Sequence, residues 1–599
     1  MGSSARHSRR ALIAWAAALF ALALGLRLHR AMTAPLFTAD GAYYFAVAER
    51  LHAGQGFTIP YVWNYLGGIP KSLPVASNEY WMPMTSLLEA GVLALGGRSP
   101  VAAQMPSVVL GALLAAFTFA LTYALFRRLD AAVLAGLFWA ISPHLVSVAA
   151  STDCFMPAAA FTGAALYAIW KARERRLLWG AFAGAGAALA YLTRSDALVL
   201  VAVMAIVLGG RLMRGEGAAW RQAGIFAGAF AVVALPWWIR NYLAFGHPFG
   251  SGVLKTAWLV TYNDIFRTDA ASLTASRYFA SSQVVAAGFK AFVLYKELRL
   301  LAVICGLATA LAIYAVIAER ERGRFAPWLA YMVLVIGLSA LMFPYPAIKG
   351  GFWHLAPALC PFVFAAGAGA LMRLWDRARG WRRMAAWAAG AAAVAYFIAL
   401  HPVLLREAGE RDAFAAVAKD LGGAAPGRAP VLTDNCWRLY HFARRPCAQF
   451  PTDGAGAALR VADALGAEYA VTQASSLDKI APIGRTLKTA RFTRIAVLGE
   501  RGAEVYVYRI MSAAEADAQA KLLNQEAIAA AQAGNLNAAI AGWLRADSWK
   551  PDFAPILSNL AIACLRSNRQ QEAYLYAQRA LREDPTNAIA RKVLEAAGG

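Results

Sequence analysis

"DGAYYFAVAERLHAGQGF", Asp40 to Phe57, follows the first long apolar run of the chain, Ala11 to Leu28. It sets a carboxylate and two adjacent tyrosines where a chain would leave the bilayer. Ala42, Tyr43, Phe45, Ala46, Val47 and Leu51 make the apolar side of a helix, and Gly54 and Gly56 end it. A carboxylate at headgroup depth is costly unless it is solvated, paired or used. Asp40 also stands at a helix start, where an acidic residue meets the positive end of the dipole. Spacing alone therefore leaves a capping role and a chemical role open.

Of the 599 residues, 59% are hydrophobic and 16% charged, against roughly 25% charged in soluble domains. Most of the chain therefore belongs in a membrane. Apolar runs at 11–28, 101–124, 131–149, 155–170, 177–192, 196–210, 222–238, 297–318, 326–343, 355–373 and 384–402 approach the ~20 residues that cross a ~30 Å hydrocarbon core. They predict about eleven spans. Ala11 to Leu28 is long for the apolar part of a cleaved signal and reads as a retained span.

The net charge of +23 would suit nucleic acid if the cations formed one surface. Instead they fall in alternate short loops: Arg6, Arg9 and Arg10; Arg127 and Arg128; Lys171, Arg173, Arg175 and Arg176; Arg211, Arg214 and Arg221; Arg320, Arg322 and Arg324; Arg373, Arg377, Arg379, Arg382 and Arg383. By the positive-inside rule that side is cytoplasmic, and no basic groove with interleaved aromatics is left for nucleic acid. The short loops of the opposite side hold only Arg194 and Lys349. Parity over the spans puts the amino terminus in the cytoplasm and everything after 403 outside, the periplasm of a bacterial inner membrane. Thr85 to Gly96 is short for a span and reads as an interfacial helix. Outer loops then cover about 29–100 and 239–296.

Beyond the membrane region of 1–403, hydropathy falls. "APVLTDN" and "AEYAVTQ" are short apolar runs bounded by turn residues, and "AEVYVYRI" alternates. Residues 404–511 read as a small periplasmic α/β domain. Cys436 and Cys447 both fall in it, and an oxidising compartment leaves a disulfide and two buried thiols equally open. In 515–599, Ala527, Ala539, Trp543, Ala546 and Pro551 are matched 34 residues later by Ala561, Ala573, Ala577, Ala580 and Pro585, with only the Trp position changed. Small residues that let paired helices approach, with a closing proline, resemble tetratricopeptide repeats. The reading is two such repeats docked on the α/β domain or on a protein partner.

An Asp soon after the first span, the "YY.A..L..G.GF" helix and an apolar "P...LL.A...LGG" resemble the membrane glycosyltransferases of the GT-C class. The nearest branch is the protein mannosyltransferase and aminoarabinose transferase superfamily. "YLTRSDAL" (Tyr191 to Leu198), "LPWWIRNYLAFGHPF" (Leu235 to Phe249) and Asp153 are similar to further segments of that family. The resemblance covers about 1–400 and implies a GT-C fold with inverting transfer of a sugar from a polyprenyl-phosphate donor, of the undecaprenyl type, to a protein or glycolipid acceptor at the outer face.

Carried over residue by residue, the resemblance makes Asp40 the general base and puts Asp153 beside it in the catalytic cavity; as an alternative, Asp153 caps the span that follows "STD". The expected substrate-binding set is Tyr43, Tyr44, Glu79, Arg194, Arg240, Lys349 and His354. A lipid phosphate that gains charge as the glycosidic bond breaks needs cations near the outer headgroup plane, which points to Arg194, Lys349 and Arg240. Each also reads as a snorkelling anchor, Arg240 and Asn241 as a helix cap, and His354 as a structural histidine. The family commonly shows an Arg-Tyr pair where this chain has Lys349 to His354. No cysteine or histidine pattern has metal-ligand spacing, so no obligatory metal is expected, with a divalent cation allowed. The alternative is a membrane scaffold or transporter that recruits envelope proteins through its repeats. It is the weaker reading, because the ionisable residues gather at span ends rather than at mid-bilayer.

Overall fold

The computed structural model describes residues 8–174, 176–250, 252, 255–281, 286–318, 322–406, 412–479 and 481–597. Arg6, Arg175 and Arg320, counted above among the cytoplasmic cations, lie outside the described residues. The chain forms two units, one of Met1–Ile59, Ala76–Tyr262 and Ser272–Glu410, the other of Pro60–Val75, Asn263–Ala271 and Arg411–Gly599.

The first unit is helical and is that of a multi-pass membrane protein. Its principal helices are α1 (Arg9–Thr33), α2 (Ala39–His52), α3 (Met84–Gly96), α4 (Pro100–Phe126), α5 (Leu129–Ile141), α6 (Pro143–Ala149), α7 (Phe155–Lys171), α8 (Leu177–Thr193), α9 (Val199–Leu212), α10 (Ala218–Phe245), α11 (Ala287–Cys305), α12 (Leu307–Ala318), α13 (Ala326–Met342), α14 (Phe352–Arg377) and α15 (Trp381–Arg406). Among the described residues six helices are long and apolar enough to cross a membrane, or up to eight if each of two bent pairs is one span.

That count is lower than the eleven runs in the sequence, for physical reasons visible in particular helices. α7 and α8 have 17 residues each, marginal for a crossing. The run 131–149 bends by 56° between α5 and α6, and the run 297–318 begins earlier, at Ala287, and bends by 107° between α11 and α12. Gly306, with φ of 56°, makes the second bend. Pro143 makes the first, because it has no N–H for the carbonyl of Trp139 four residues back. Arg27 of α1, fully buried, replaces that donor: it donates to Trp139 O at 3.2 Å and to Ala140 O at 3.1 Å. An open carbonyl inside hydrocarbon would be costly, so the arginine stabilises the break.

α14 is the central helix. Every residue from His354 to Leu371 is buried, and the helix packs on α4, α5, α7, α11 and α12. Small residues make this possible, since helices in lipid gain by close approach rather than by hiding apolar surface from water. The closest case is between α8 and α10, where a Cβ on Gly184 would lie 2.2 Å from the Phe226 carbonyl oxygen.

The second unit holds a six-stranded sheet of β1 (Tyr61–Val62), β2 (Val431–Thr433), β3 (Cys447–Gln449), β4 (Tyr469–Gln473), β5 (Phe492–Leu498) and β6 (Val505–Ile510), in the order β1-β3-β2-β4-β6-β5. β1, β3, β2 and β4 run parallel, and β6 is antiparallel to both β4 and β5. β2 is buried at all three positions, as a strand covered on both faces must be. β1 comes from the segment between α2 and α3, pairing Tyr61 with Cys447 and Val62 with Ala448. This unit thus contains 60–75 and 263–271 besides the 404–511 stretch of the sequence reading. A two-residue strand inside a loop has no periodicity to read. Cys436 and Cys447 are buried free thiols.

Five helices end the unit: α16 (Ala513–Gln532), α17 (Leu536–Trp549), α18 (Ala554–Arg566), α19 (Gln570–Glu583) and α20 (Ala588–Ala597). Each packs on the next. The recurring alanines Ala539, Ala546, Ala561, Ala573, Ala577 and Ala580 are fully buried, which is why the period of the sequence uses small residues. Trp543 donates its indole N–H to Asn524 Oδ1 at 2.8 Å.

The helix contact at Gly184 gives a stability prediction. Gly184→Ala, whose Cβ meets backbone that cannot move aside, should destabilise the protein by ~1–3 kcal/mol. Gly228→Ala on α10, where nothing lies within 4 Å, should be neutral or slightly stabilising. Thermal unfolding of the two variants in detergent reads the difference.

Candidate functional site

The site starts with a helix cap. Thr38, extended at φ −127°, precedes α2 and accepts the Gly41 N–H on its Oγ1 at 2.9 Å. The cap is therefore Thr38, which leaves the Asp40 carboxylate unused by the helix. The Thr38 hydroxyl donates in turn to Asp153 Oδ2 at 2.6 Å, and Thr152 Oγ1 donates to Gly41 O at 2.8 Å. A Cβ on Gly41 would sit 2.7 Å from Thr38 Oγ1 and 2.9 Å from Thr152 Oγ1. Glycine there lets the start of α2 press against the α6–α7 junction.

Asp153 lies in that junction with no exposed surface. Its Oδ1 accepts the Cys154 N–H at 2.6 Å and its Oδ2 faces His354 Nε2 at 3.1 Å. The helix that follows, α7, has Cys154 at its N-cap and no side-chain cap, so Asp153 does not cap it; the Asp153 carboxylate holds the Cys154 N–H and reaches α14. The other ring nitrogen of His354, Nδ1, is 2.7 Å from Gly350 O. Both nitrogens face acceptors, so both carry protons and the ring is an imidazolium. Phe155 stacks on it at 4.4 Å and 9°. Gly350, at φ 123° in the π-type turn Ala347–Gly351, aims the carbonyl. Turns of this kind inside helices gather at functional sites.

Asp40 completes the cluster. Its Oδ2 is 3.6 Å from His354 Nε2 and accepts the Trp81 indole N–H at 3.1 Å. Its Oδ1 makes no hydrogen bond among the described residues, and 24% of the side chain is exposed. Trp81 is held by Tyr43 at 4.3 Å between ring centroids, and the Tyr43 hydroxyl accepts the Asn78 N–H at 2.6 Å.

The two carboxylates have opposite electrostatics. Burial raises Asp40 to about 6, with the charge on His354 offsetting part of the rise and Asp153 adding to it. Burial also disfavours the charged form of Asp153, but the His354 charge and the hydrogen bonds from His354, Thr38 and the Cys154 amide win, and hold it below the usual carboxylate range. One carboxylate is locked as an anion and the other titrates near neutrality.

The remaining residues fall at different distances from this centre. Arg194, after α8, pairs with Asp196 at 2.6 Å and donates to Gly351 O at 3.4 Å and Cys154 Sγ at 3.8 Å. It borders the cluster and its charge is felt at Asp40. Tyr44 is buried, 6.3 Å from Trp81. Glu79 is half-buried, two residues before Trp81. Lys349 is exposed, its Nζ 5.6 Å from the Tyr262 ring centre. Arg240 packs over the rings of Trp237 at 4.8 Å, Phe245 at 5.1 Å and Phe57 at 5.4 Å, and donates to Phe57 O at 3.0 Å. It is held by aromatics rather than by the carboxylates.

Among the described residues one trio of metal-ligand types converges, Asp153, Cys154 and His354, with ligand atoms within 4.8 Å of one another. It offers a cation its imidazole nitrogen only after Nε2 gives up its proton. The sequence reading missed Thr38, Trp81, Phe155 and the Gly350 carbonyl. Thr38 had a signal, a threonine two residues before an acidic helix start; the other three had none.

Residues 80–239 match a family model described as dolichyl-phosphate-mannose-protein mannosyltransferase. Among solved structures, ArnT from Cupriavidus metallidurans bound to undecaprenyl phosphate is 14% identical with a TM-score of 0.54, covering 84% of this chain and 98% of that one. An oligosaccharyltransferase of Archaeoglobus fulgidus is 13% identical with a TM-score of 0.44, covering 77% and 69%. The arabinofuranosyltransferase AftD from mycobacteria is 15% identical with a TM-score of 0.45, covering 85% and 42%. No curated protein matches the chain.

The ion pair predicts unequal costs for the two carboxylates. Asp153→Asn leaves a buried imidazolium unpaired and should cost ~3–5 kcal/mol. Asp40→Asn removes a charge that burial disfavours and should be nearly neutral. Denaturant unfolding of the purified variants measures both.

Proposed function

We propose, from a chain that has the fold of the GT-C glycosyltransferases, that it is an inverting glycosyltransferase. In this reading it moves one sugar from a polyprenyl-phosphate donor to an acceptor hydroxyl at the outer face of a bacterial inner membrane. The observation that supports it best is Asp40: a partly exposed carboxylate with an unengaged Oδ1 and an affinity for protons raised to about 6.

A hydroxyl is a weak nucleophile near neutral pH. A carboxylate that takes its proton as the bond forms contributes ~10²- to 10⁴-fold, most when its pKa lies near the working pH. Trp81 and His354 fix Oδ2, so Oδ1 is left to receive the acceptor proton. Attack opposite the lipid phosphate inverts the anomeric centre with one carboxylate. Asp153 acts through His354 as a positioning residue: it keeps the ring charged and turned toward Asp40. Arg194 supplies positive charge at the rim for the departing phosphate, in part offset by Asp196. Lys349 would reach a phosphate only from its exposed side of the turn. Tyr43, Tyr44 and Glu79 shape the acceptor side, and Arg240 braces the wall beside Phe57. The helical repeats of 515–599 are tetratricopeptide-like in this reading and favour a protein acceptor or a protein partner.

Asp40→Asn should keep the fold and lose ~10²- to 10⁴-fold in transfer, measured with purified protein and radiolabelled polyprenyl-phosphate sugars; normal transfer would remove Asp40 as the base. The base works deprotonated, so transfer in the wild type should fall as pH drops through about 6. His354→Gln removes a charge that lowers the Asp40 pKa, and the acid limb should move to higher pH. Because the imidazolium already bridges the carboxylates, transfer should survive chelation. A loss restored by one divalent cation would instead make Asp153, Cys154 and His354 a cation site.

A further inference from the structure

The second unit brings two of its cysteines together. Cys447 stands in β3, and Cys436 begins the helix Cys436–Ala443 that follows β2, the neighbour of β3 in the sheet. Gln449, at the far end of β3, accepts the Cys436 N–H on its Oε1 at 3.4 Å, which fixes the helix start against that strand. Cys447 Sγ donates to the Cys436 carbonyl oxygen at 3.3 Å, and the two thiols lie within hydrogen-bond reach of each other. Both side chains are fully buried.

Taken singly, each thiol reads as a small apolar filler. That reading does not explain two sulfurs that face each other from different elements. Their only other polar contacts are weak S–H bonds to backbone oxygens, that of Cys447 and one from Cys436 to Val62 O at 3.3 Å. The pair is no metal site either, since among the described residues no third metal-ligand side chain joins it. Side chains in such contact reach disulfide geometry by rotation about χ1. The bond would tie down β1, because Cys447 pairs with Tyr61 and Cys436 lies against Val62.

We propose that Cys436 and Cys447 form a structural disulfide as the chain folds in an oxidising compartment. The compartment rests on the outer-face reading above; the contact between the sulfurs does not. One cysteine thiolate attacks the disulfide of an exchange protein, and the second cysteine displaces that protein from the mixed disulfide. One S–S bond forms here, and two electrons and two protons leave with the exchange protein as its dithiol. Burial pushes the Cys436 thiol well above its usual value, so the reaction belongs to folding, before the pair is covered. The finished bond is then shielded from reductants. Cys305 and Cys360 make the contrast: their sulfurs are 3.5 Å apart, but they are buried on α11 and α14 of the membrane unit, out of reach of an aqueous exchange protein. Proximity is shared and the compartment is not.

The test quenches cells carrying the full chain with acid, alkylates free thiols with N-ethylmaleimide under denaturant, and maps trypsin peptides without reductant. Trypsin cuts after Arg438 and Arg444, which leaves the two cysteines on separate peptides unless a bond joins them. The expected result is the linked pair, two hydrogens lighter than the sum of its peptides, in essentially all of the chain, with Cys305, Cys360 and Cys564 alkylated. Alkylation of both Cys436 and Cys447 would overturn the proposal. Linkage of Cys305 to Cys360 to the same extent would overturn it too, because proximity alone would then suffice. An exposed reporter, Ala514→Cys, treated with a membrane-impermeant maleimide on spheroplasts, reads the location. A labelled reporter beside alkylated Cys436 and Cys447 sinks the disulfide alone; an unlabelled one sinks the outer-face reading with it. The peptide map uses the unaltered chain, so it needs neither a variant that folds nor a transfer assay.

Discussion

A single imidazolium set between two carboxylates organises the first unit. His354 is 3.1 Å from Asp153 and 3.6 Å from Asp40, and the three come from α14, the α6–α7 junction and the first turn of α2. Removing any of these charges leaves the others incompletely compensated, and burial amplifies the imbalance. The Gly350 carbonyl and the Phe155 ring hold the imidazole in place. Such a charge does for the pair what a metal ion does at other carboxylate sites, with a proton that responds to pH. The same arrangement separates the roles of the carboxylates: one sits in a hydrogen-bond cage and stays ionised, and the other keeps a face open to solvent and titrates near neutrality.

The rest of the first unit solves the problem of irregular backbone in a hydrophobic solvent. Every bend that brings a site residue inward opens carbonyls that lipid cannot satisfy. At Pro143 the cure is Arg27, which crosses from α1 to Trp139 and Ala140. At the turn Ala347–Gly351 the opened carbonyls of Gly350 and Gly351 are used by His354 and Arg194. Structure and site therefore share atoms. The backbone breaks in α14's approach are where the functional side chains attach.

Much of this was legible in the sequence, and what was not has definite reasons. Asp40 and Asp153 stood out because charge is rare near spans, and His354 was noted as a candidate donor; all three meet. Lys349 stood out for the same reason, yet it faces outward over Tyr262. A turn at φ 123° decides which of two neighbours points inward, and no spacing rule predicts it. In sequence Arg240 reads as a phosphate ligand or a helix cap, and the structure sets it over the rings of Phe57, Trp237 and Phe245. The apolar runs gave the helical membrane class and failed at breaks, since hydropathy averages over Pro143 and Gly306. The start of α11 was hidden by Lys290 and Lys296, charged residues that lower the mean hydropathy ahead of the run at 297 in a helix the structure nonetheless forms. The strand Tyr61–Val62 was out of reach, as its partner lies hundreds of residues away and register is set by tertiary contact.

The account stands on the charge state of His354. Nitrogen-15 NMR of the protein with labelled histidine, assigned through His354→Gln, reads both ring nitrogens directly. At pH 7 the account predicts that both carry protons, and that Asp153→Asn converts the ring to a neutral tautomer. A neutral imidazole in the wild type, with Nε2 unprotonated opposite Asp153, would contradict it.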